Sequence, residues 1–380
     1  MKRWLAALLC AVLLLPGATL ADGKAEDVPA QAAYLVEANS GRVLYAKNEN
    51  ARLPMASTTK IMTTLLTLES GDLDTPFVVD SDAIRVEGSS MGLLPGDTVT
   101  KRALCAGMLL PSGNDGANAA AVRVGGSIPA FLELMNARAK QIGMTHSLFA
   151  SPSGLDAEGH GASACDMALL AREALKNPEF AAICSRQTMT VCYGNPPYAR
   201  TLTNTNKLLG MDETVIGVKT GFTDAAGRCL VSAAERDDRT LICVTLFDRN
   251  DWADHEALYD YGFAQAQPYT LPLPELPAIP VEGGDETAAQ LYLREPLSLT
   301  AWRGVPPDYT CTLLLPPFLT APVEKGEAVG TAVYRNGNVE IARLPVCSAV
   351  EIARQEPDQN VKNMILRIKS AFFKVFSKYG

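Results

Sequence analysis

The stretch Ala56-Ser57-Thr58-Thr59-Lys60-Ile61-Met62-Thr63-Thr64-Leu65-Leu66-Thr67-Leu68 decides how the rest of the chain is read. Its apolar positions continue after Lys60 as one helix, and Gly71 supplies a C-terminal stop. In that helix Ser57 and Lys60 stand three residues apart, on one face and one turn from each other. An amine is thereby set beside a hydroxyl, and a serine hydroxyl attacks well only when a neighbouring base takes its proton. The helix N-terminus adds partial positive charge near Ser57. By itself Ser-x-x-Lys is explained by a capping serine followed by a solvated lysine, so its meaning depends on partners elsewhere in the chain.

Working outward, the residues before this stretch form a hairpin. Ala32-Ala33-Tyr34-Leu35-Val36-Glu37 and Val43-Leu44-Tyr45-Ala46 flank the turn residues Asn39-Ser40-Gly41. After it, Thr100 caps a largely apolar helix that ends at Pro111-Ser112-Gly113-Asn114-Asp115-Gly116, a run of turn residues. Alanine-rich sequence from Ala117 begins another helix, and Ser127-Ile128-Pro129 begins one that runs to Gly143. Residues 149–160 are small and polar and read as a loop before a helix from Asp166 to Leu175. His160 in that loop is either a solvated histidine or a catalytic candidate.

Val215-Ile216-Gly217-Val218-Lys219-Thr220-Gly221, Cys229-Leu230-Val231-Ser232 and Leu241-Ile242-Cys243-Val244-Thr245-Leu246-Phe247 read as three strands of an antiparallel meander. A helix over residues 252–263 follows, with Trp252, Leu258, Tyr259 and Phe263 as its apolar positions.

From Pro268 the texture changes. Prolines cluster, and short β-like runs such as Leu291-Tyr292-Leu293, Cys311-Thr312-Leu313-Leu314-Leu315 and Val329-Gly330-Thr331-Ala332-Val333-Tyr334 replace helices. Residues 268–350 therefore read as a separate small β domain, with Arg335-Asn336-Gly337-Asn338 as a hairpin turn. In residues 357–380, Val361, Ile365, Ile368, Phe372, Phe376 and Tyr379 recur at steps of three or four. Five basic residues lie between them, against Asp358 as the one acid. That is the pattern of an amphipathic helix on an anionic membrane surface.

The opening residues have the layout of a secretory signal peptide over 1–21: Met1-Lys2-Arg3, an apolar run from Trp4 to Leu15, then Ala18-Thr19-Leu20-Ala21. The expected location is the outer face of the cytoplasmic membrane, in the periplasm or cell-wall space. A main domain then occupies residues 22–267. With 380 residues, 47% hydrophobic and 20% charged, the chain has ample material for one large domain and a smaller one.

The formal charge of −8 falls to −10 once Lys2 and Arg3 leave with the leader. Because the basic residues gather in the tail, the body is more acidic still, which argues against nucleic acid as a partner. The nine cysteines include no Cys-x-x-Cys and no cysteine–histidine cluster, so no metal site is expected. Cys105 and Cys243 read as core thiols, and Cys184 with Cys192 as the pair to be bonded if any is.

Ser57-x-x-Lys60, Ser112-x-Asn114 and Lys219-Thr220-Gly221 follow one another in that order. The first opens a helix, the second lies in an interhelical loop and the third ends a strand. This triplet of motifs is found in class A β-lactamases and penicillin-binding proteins. Ala56-Ser57-Thr58-Thr59-Lys60-Ile61-Met62-Thr63, Asn204-Thr205-Asn206-Lys207-Leu208-Leu209, Gly217-Val218-Lys219-Thr220-Gly221-Phe222-Thr223 and Gly159-His160 with Asp166-Met167 resemble the low-molecular-weight penicillin-binding proteins that act as serine D-alanyl-D-alanine carboxypeptidases. The resemblance covers about residues 28–265 closely and the β domain and tail more loosely.

It implies a mixed α/β fold: an antiparallel sheet flanked by helices, with a helical lobe and a site between them. It further implies a peptidoglycan stem ending in D-Ala-D-Ala as substrate, β-lactams as inhibitors, and no cofactor or metal. Ser57 would be the nucleophile, Lys60 its base and Ser112 the proton relay to the leaving amine. Asn114 would hold the substrate amide or Lys60. Lys219 and Thr220 would bind the terminal carboxylate, and Gly221 would admit the substrate beside the strand. The N–H groups of Ser57 and Phe222 would bind the oxyanion. Phe222 stands where some relatives have histidine, and Gly116 where alanine is usual. His160 and Asp156 are candidates for the deacylation base.

Two other readings are weighed against this one. A class A β-lactamase needs a glutamate for deacylation, and Glu173 with Asn177 has a suitable spacing but falls in a helix far downstream. A non-catalytic wall-binding scaffold on the same fold would be marked by loss of a motif residue, and none is lost.

Overall fold

The computed structural model describes residues 28–305, 308–336, 339–356, 364 and 366–368. The signal peptide expected at residues 1–21, the turn residues Gly337 and Asn338, and the amphipathic helix of 357–380 apart from four exposed helical residues lie outside the described residues. Packing divides the chain into two compact units, with the division between Ala264 and Gln265.

In the first unit, β1 (Ala32–Glu37) and β2 (Val43–Lys47) form the expected hairpin. The Glu37 carboxylate accepts the N–H groups of Asn39 and Ser40 in the turn. A short 3-10 turn, Ala56–Thr59, leads directly into α1 (Lys60–Glu69). The α-helix thus begins one turn later than the sequence pattern places it, while Ser57 and Lys60 keep their one-turn separation.

Two short strands, β3 (Phe77–Val78) and β4 (Thr98–Val99), precede α2 (Lys101–Leu109), whose N-terminus is capped by Thr100 Oγ1. The helices α3 (Asn114–Gly125), α4 (Ile128–Ile142), α5 (Ala164–Leu175) and α6 (Pro178–Cys184) follow. Ser127, Ser163 and Asn177 cap the last three through their side chains. The hairpin β5 (Thr188–Gly194) and β6 (Pro197–Thr203) joins β3 and β4 in a second antiparallel sheet. After the single turn α7 (Leu208–Met211) come β7 (Val215–Thr223), β8 (Gly227–Arg236), β9 (Arg239–Leu246) and α8 (Asp251–Ala264).

The main sheet has the order β2-β1-β9-β8-β7 and is antiparallel throughout. Every residue of 229–234 and 241–246 is buried, as in strands covered on both faces; α5 packs on β1 and β9, and α8 on β8 and β9. The buried face of α8 holds two of its four large apolar residues together with polar ones. Asp251, Asp254, His255, Leu258, Tyr259 and Gly262 are buried, while Trp252 and Phe263 are only partly covered and stack against the guanidinium groups of Arg228 and Arg236.

The helix α1 is buried on nearly all sides, with α2, α3, α4, α5 and α6 around it. It is the axis of the helical lobe, and its N-terminal turn packs against the outer strand β7. Cys184 is buried at the end of α6 and Cys192 is exposed on β5; both are free thiols, so the expected pairing is not formed.

The second unit is all-β. Leu291–Leu293, Val339–Ser348, Ala328–Asn336 and Thr310–Leu314 form a four-stranded antiparallel sheet in that order. Ala288–Ala289, Ile279–Glu282 and Leu319–Thr320 form a smaller sheet. One small core gathers Leu293, Tyr334 and Val346, and another Val281, Val323 and Ile352. Among the described residues, no helix is long and apolar enough to cross a membrane.

Candidate active site

Across residues 55–65, Ser57 alone is not fully buried. The chain turns sharply to present it: Ala56, immediately before, is a non-glycine residue at φ +48°, a left-handed conformation that is uncommon outside glycine, asparagine and aspartate. Close packing holds this turn on two sides. A Cβ on Gly154 would stand 2.0 Å from Ala56 O and 2.9 Å from Ser57 N. One on Gly221 of β7 would stand 3.0 Å from Met55 O and from Ser57 N. Glycine at both positions lets two backbone segments close around the serine N–H.

Lys60 Nζ lies 2.8 Å from Ser57 Oγ, 2.7 Å from Asn114 Oδ1 and 2.6 Å from the Ser153 carbonyl oxygen. The side chain is fully buried, and no carboxylate among the described residues pairs with it. Burial first, and then the nearby Lys219 ammonium, hold its pKa well below the ordinary lysine value, with Asp115 opposing. A neutral amine has two hydrogens and one lone pair. With the two hydrogens given to the carbonyl oxygens of Asn114 and Ser153, the lone pair faces the Ser57 hydroxyl.

The Asn114 amide is oriented by its other end, since Nδ2 donates to Glu87 O at 2.7 Å. Its backbone N–H donates to Ser89 O at 2.7 Å. That loop is in turn fastened by the buried Asp115. Its Oδ1 accepts Met91 N at 2.9 Å, and its Oδ2 accepts Gly92 N at 3.0 Å, Leu93 N at 2.9 Å and Ser90 Oγ at 2.6 Å. Met91 fills the space over the small residues of α2 and α3: a Cβ on Gly107 would meet its Sδ at 2.2 Å and one on Gly116 at 2.9 Å. The glycine at position 116 is thereby explained, because alanine there would displace Met91. Ser112 is buried two residues before Asn114 at φ +66°, and its hydroxyl has no hydrogen-bond partner among the described residues.

Lys219 on β7 is 1% exposed. Its Nζ donates to Thr220 O at 2.9 Å and lies 3.4 Å from Thr220 Oγ1, which is 2.7 Å from Thr205 Oγ1. Burial lowers its pKa to about 7. Lys219, with no carboxylate partner among the described residues, is the cation that this edge strand offers to an anionic extended ligand, while Lys60 stays neutral beside Ser57. Phe222, next along β7, is 64% exposed.

His160 is buried, with Nδ1 accepting the Ala150 N–H at 3.0 Å and Nε2 2.9 Å from Thr59 Oγ1. Both ring nitrogens are engaged, so it presents no free lone pair for activating water. Asp156 accepts a hydrogen bond from Thr223 Oγ1 at 3.0 Å. Glu173 pairs with Arg138 and Lys176 on the helical lobe, and no carboxylate among the described residues pairs with Lys60. Sequence reasoning missed the Ser153 and Glu87 carbonyls, which any residue type can supply. It also missed Asp115, whose only signal was its place in a turn.

A buried lysine bonded to a partly exposed serine is an arrangement that can activate the serine for acyl transfer. The D-alanyl-D-alanine carboxypeptidase family model matches residues 19–250, and that of the penicillin-binding protein 5 C-terminal domain matches residues 275–354. The chain belongs to the D-alanyl-D-alanine carboxypeptidase family. It is 33% identical over 376 residues to D-alanyl-D-alanine carboxypeptidase DacF of Bacillus subtilis, covering 93% of this chain and 95% of that one. It is 34% identical to DacC of Escherichia coli over 345 residues, covering 85% and 84%. Among solved structures, penicillin binding protein 5 from Haemophilus influenzae superposes with a TM-score of 0.62 at 28% identity, covering 86% of this chain and 98% of that one. A Streptomyces DD-transpeptidase gives 0.61 at 30% identity, covering 64% and 100%.

Proposed function

We propose that the chain removes the terminal D-alanine from peptidoglycan stem peptides through an acyl-enzyme on Ser57. Neutral Lys60 takes the proton from Ser57 Oγ as that oxygen attacks the penultimate D-alanine carbonyl. The N–H groups of Ser57 and Phe222 bind the oxyanion, in catalysis often the largest single contribution. Ser112 passes the proton to the leaving nitrogen as the C–N bond breaks and D-alanine departs. Water then cleaves the ester and frees Ser57. Asn114 holds Lys60 in place, Lys219 with Thr220 binds the terminal carboxylate, and Gly221 lets the peptide lie along the edge of β7. A β-lactam carries a carboxylate beside a reactive carbonyl and enters the same site.

The observation that carries this reading is the Lys60 amine, buried and bonded to Ser57 Oγ, Asn114 Oδ1 and Ser153 O with no carboxylate partner among the described residues. Incubation with diacetyl-Lys-D-Ala-D-Ala tests it: free D-alanine is expected from the parent chain and none from Ser57→Ala. Adding an amine acceptor separates hydrolysis from the transpeptidation named for the Streptomyces relative. Equal D-alanine release by parent and variant would end the assignment. In the same reading residues 1–21 are a removed leader, 22–267 the catalytic domain and 268–350 the small β domain. Residues 357–380 hold the enzyme on the outer face of the cytoplasmic membrane.

A further inference from the structure

The Ala56 carbonyl and the Ser57 N–H belong to one peptide group, and in a trans peptide they point in opposite directions. Whatever fixes that carbonyl also aims that N–H. Ala56 O accepts the Thr59 hydroxyl at 2.8 Å, by itself a common local bond for a threonine in a first helical turn. What is unusual is the next link. Thr59 has one hydroxyl hydrogen and gives it to Ala56 O, so His160 Nε2 at 2.9 Å must be the donor to Thr59 Oγ1. The Ala150 N–H, donated to His160 Nδ1 at 3.0 Å, requires the same tautomer. The chain Ala150 N–H, His160, Thr59, Ala56 O therefore runs in one direction and ends on the peptide that carries the Ser57 N–H. Thr59 and Ala56 are buried, and His160 is packed edge-on against Phe149. Consecutive hydrogen bonds in such surroundings polarise one another.

We propose that His160, acting through Thr59, is a positioning residue that aims the Ser57 N–H at the oxyanion, and not a base that activates water. The left-handed φ of Ala56 is the conformation this chain holds in place. The proposal rests on Ser57 being the acylated residue.

Three variants test it. Thr59→Val removes the hydroxyl with little change of shape, Thr59→Ser keeps it, and His160→Phe keeps a ring but removes the donor. The readouts are the rate constant for acylation by a penicillin and the infrared C=O stretch of the resulting ester. Removing one oxyanion donor lowers turnover by about 100- to 1000-fold, so mis-aiming one is expected to slow acylation by about 10- to 100-fold in Thr59→Val and His160→Phe. The ester band moves to higher wavenumber in both, because the carbonyl loses hydrogen bonding, and Thr59→Ser restores rate and band.

Slower acylation with an unmoved band would show a merely structural role and overturn the proposal. So would acylation of Thr59→Val at the parent rate. If His160→Phe does not fold, the near-isosteric Thr59→Val decides alone. A parent chain that takes no adduct on Ser57 would overturn the catalytic reading and this proposal with it.

Discussion

Lys219→Met removes a buried ammonium that has no carboxylate partner among the described residues; its Nζ donates to the carbonyl of its own strand neighbour Thr220. An ammonium about 3 Å from a carboxylate gains roughly 5 kcal/mol at an effective dielectric of about 20. Losing one member of such a buried pair costs about 2–5 kcal/mol in practice. The variant's kcat/KM for a carboxylate-ended peptide should fall about 30- to 5000-fold.

The pH profile gives a second magnitude. Burial lowers the Lys219 pKa from 10.5 to about 7, and only the cation binds the carboxylate. The parent's kcat/KM should therefore decline as pH rises through about 7, and near pH 9 about 1% of the free enzyme keeps the charge. The methionine variant lacks this alkaline limb. Removing the Lys219 charge also lets the Lys60 pKa rise. Neutral Lys60 is the active form, so the acid limb moves to higher pH. The assay is D-alanine release from diacetyl-Lys-D-Ala-D-Ala across this range, with the C-terminally amidated peptide as control; parent and variant should differ little on the amide. An equal loss on both peptides, or an alkaline limb near 7 that survives in the variant, would refute carboxylate binding by Lys219.

Gly154→Ala should abolish acylation and lower the melting temperature, because its Cβ would stand 2.0 Å from Ala56 O at a φ of +90°; normal penicillin labelling would contradict this. The Oδ2 atoms of Asp248 and Asp254 are buried without a donor, and burial with the neighbouring Asp254 pushes the Asp248 carboxyl up to about 6. A folded-state pKa above the ordinary 3.8 means stability that is full below that value and lost as pH rises through about 6. Asp254→Asn should therefore stabilise the chain by about 1–3 kcal/mol at pH 8 and not at pH 4, and thermal unfolding with the same pH dependence as the parent would contradict it. Truncation after Glu356 should abolish sedimentation with anionic vesicles while leaving D-alanine release intact, whereas undiminished sedimentation would remove the membrane role of the tail.

The parts of the fold legible in the sequence are those where burial writes a period. The helix after Lys60, the hairpin at Asn39-Ser40-Gly41 and the strands through Lys219, Leu230 and Cys243 all stand where the pattern places them. On α8 the expected apolar positions Leu258 and Tyr259 are buried, but Asp251, Asp254 and His255 look like solvent residues in the sequence and yet lie inward too, with hydrogen-bonding partners such as Arg228, Ser232 and Thr245. The expected Cys184–Cys192 pair failed because even spacing in sequence says nothing about which side of an element a thiol occupies.

At the site, side-chain chemistry was readable and backbone chemistry was not. The Ser57, Lys60 and Asn114 side chains come together in space. The third acceptor for Lys60 is a carbonyl that carries no residue signature, and the role of His160 emerges only from the direction of its two hydrogen bonds.

The central claim is that Ser57 becomes acylated, and intact-protein mass spectrometry after incubation with a penicillin tests it most directly. One added penicillin mass is expected on the parent chain, localised by peptide mapping to the segment containing Ser57, with none on Ser57→Ala. Equal labelling of the two chains, or an adduct mapped to another residue, would contradict it.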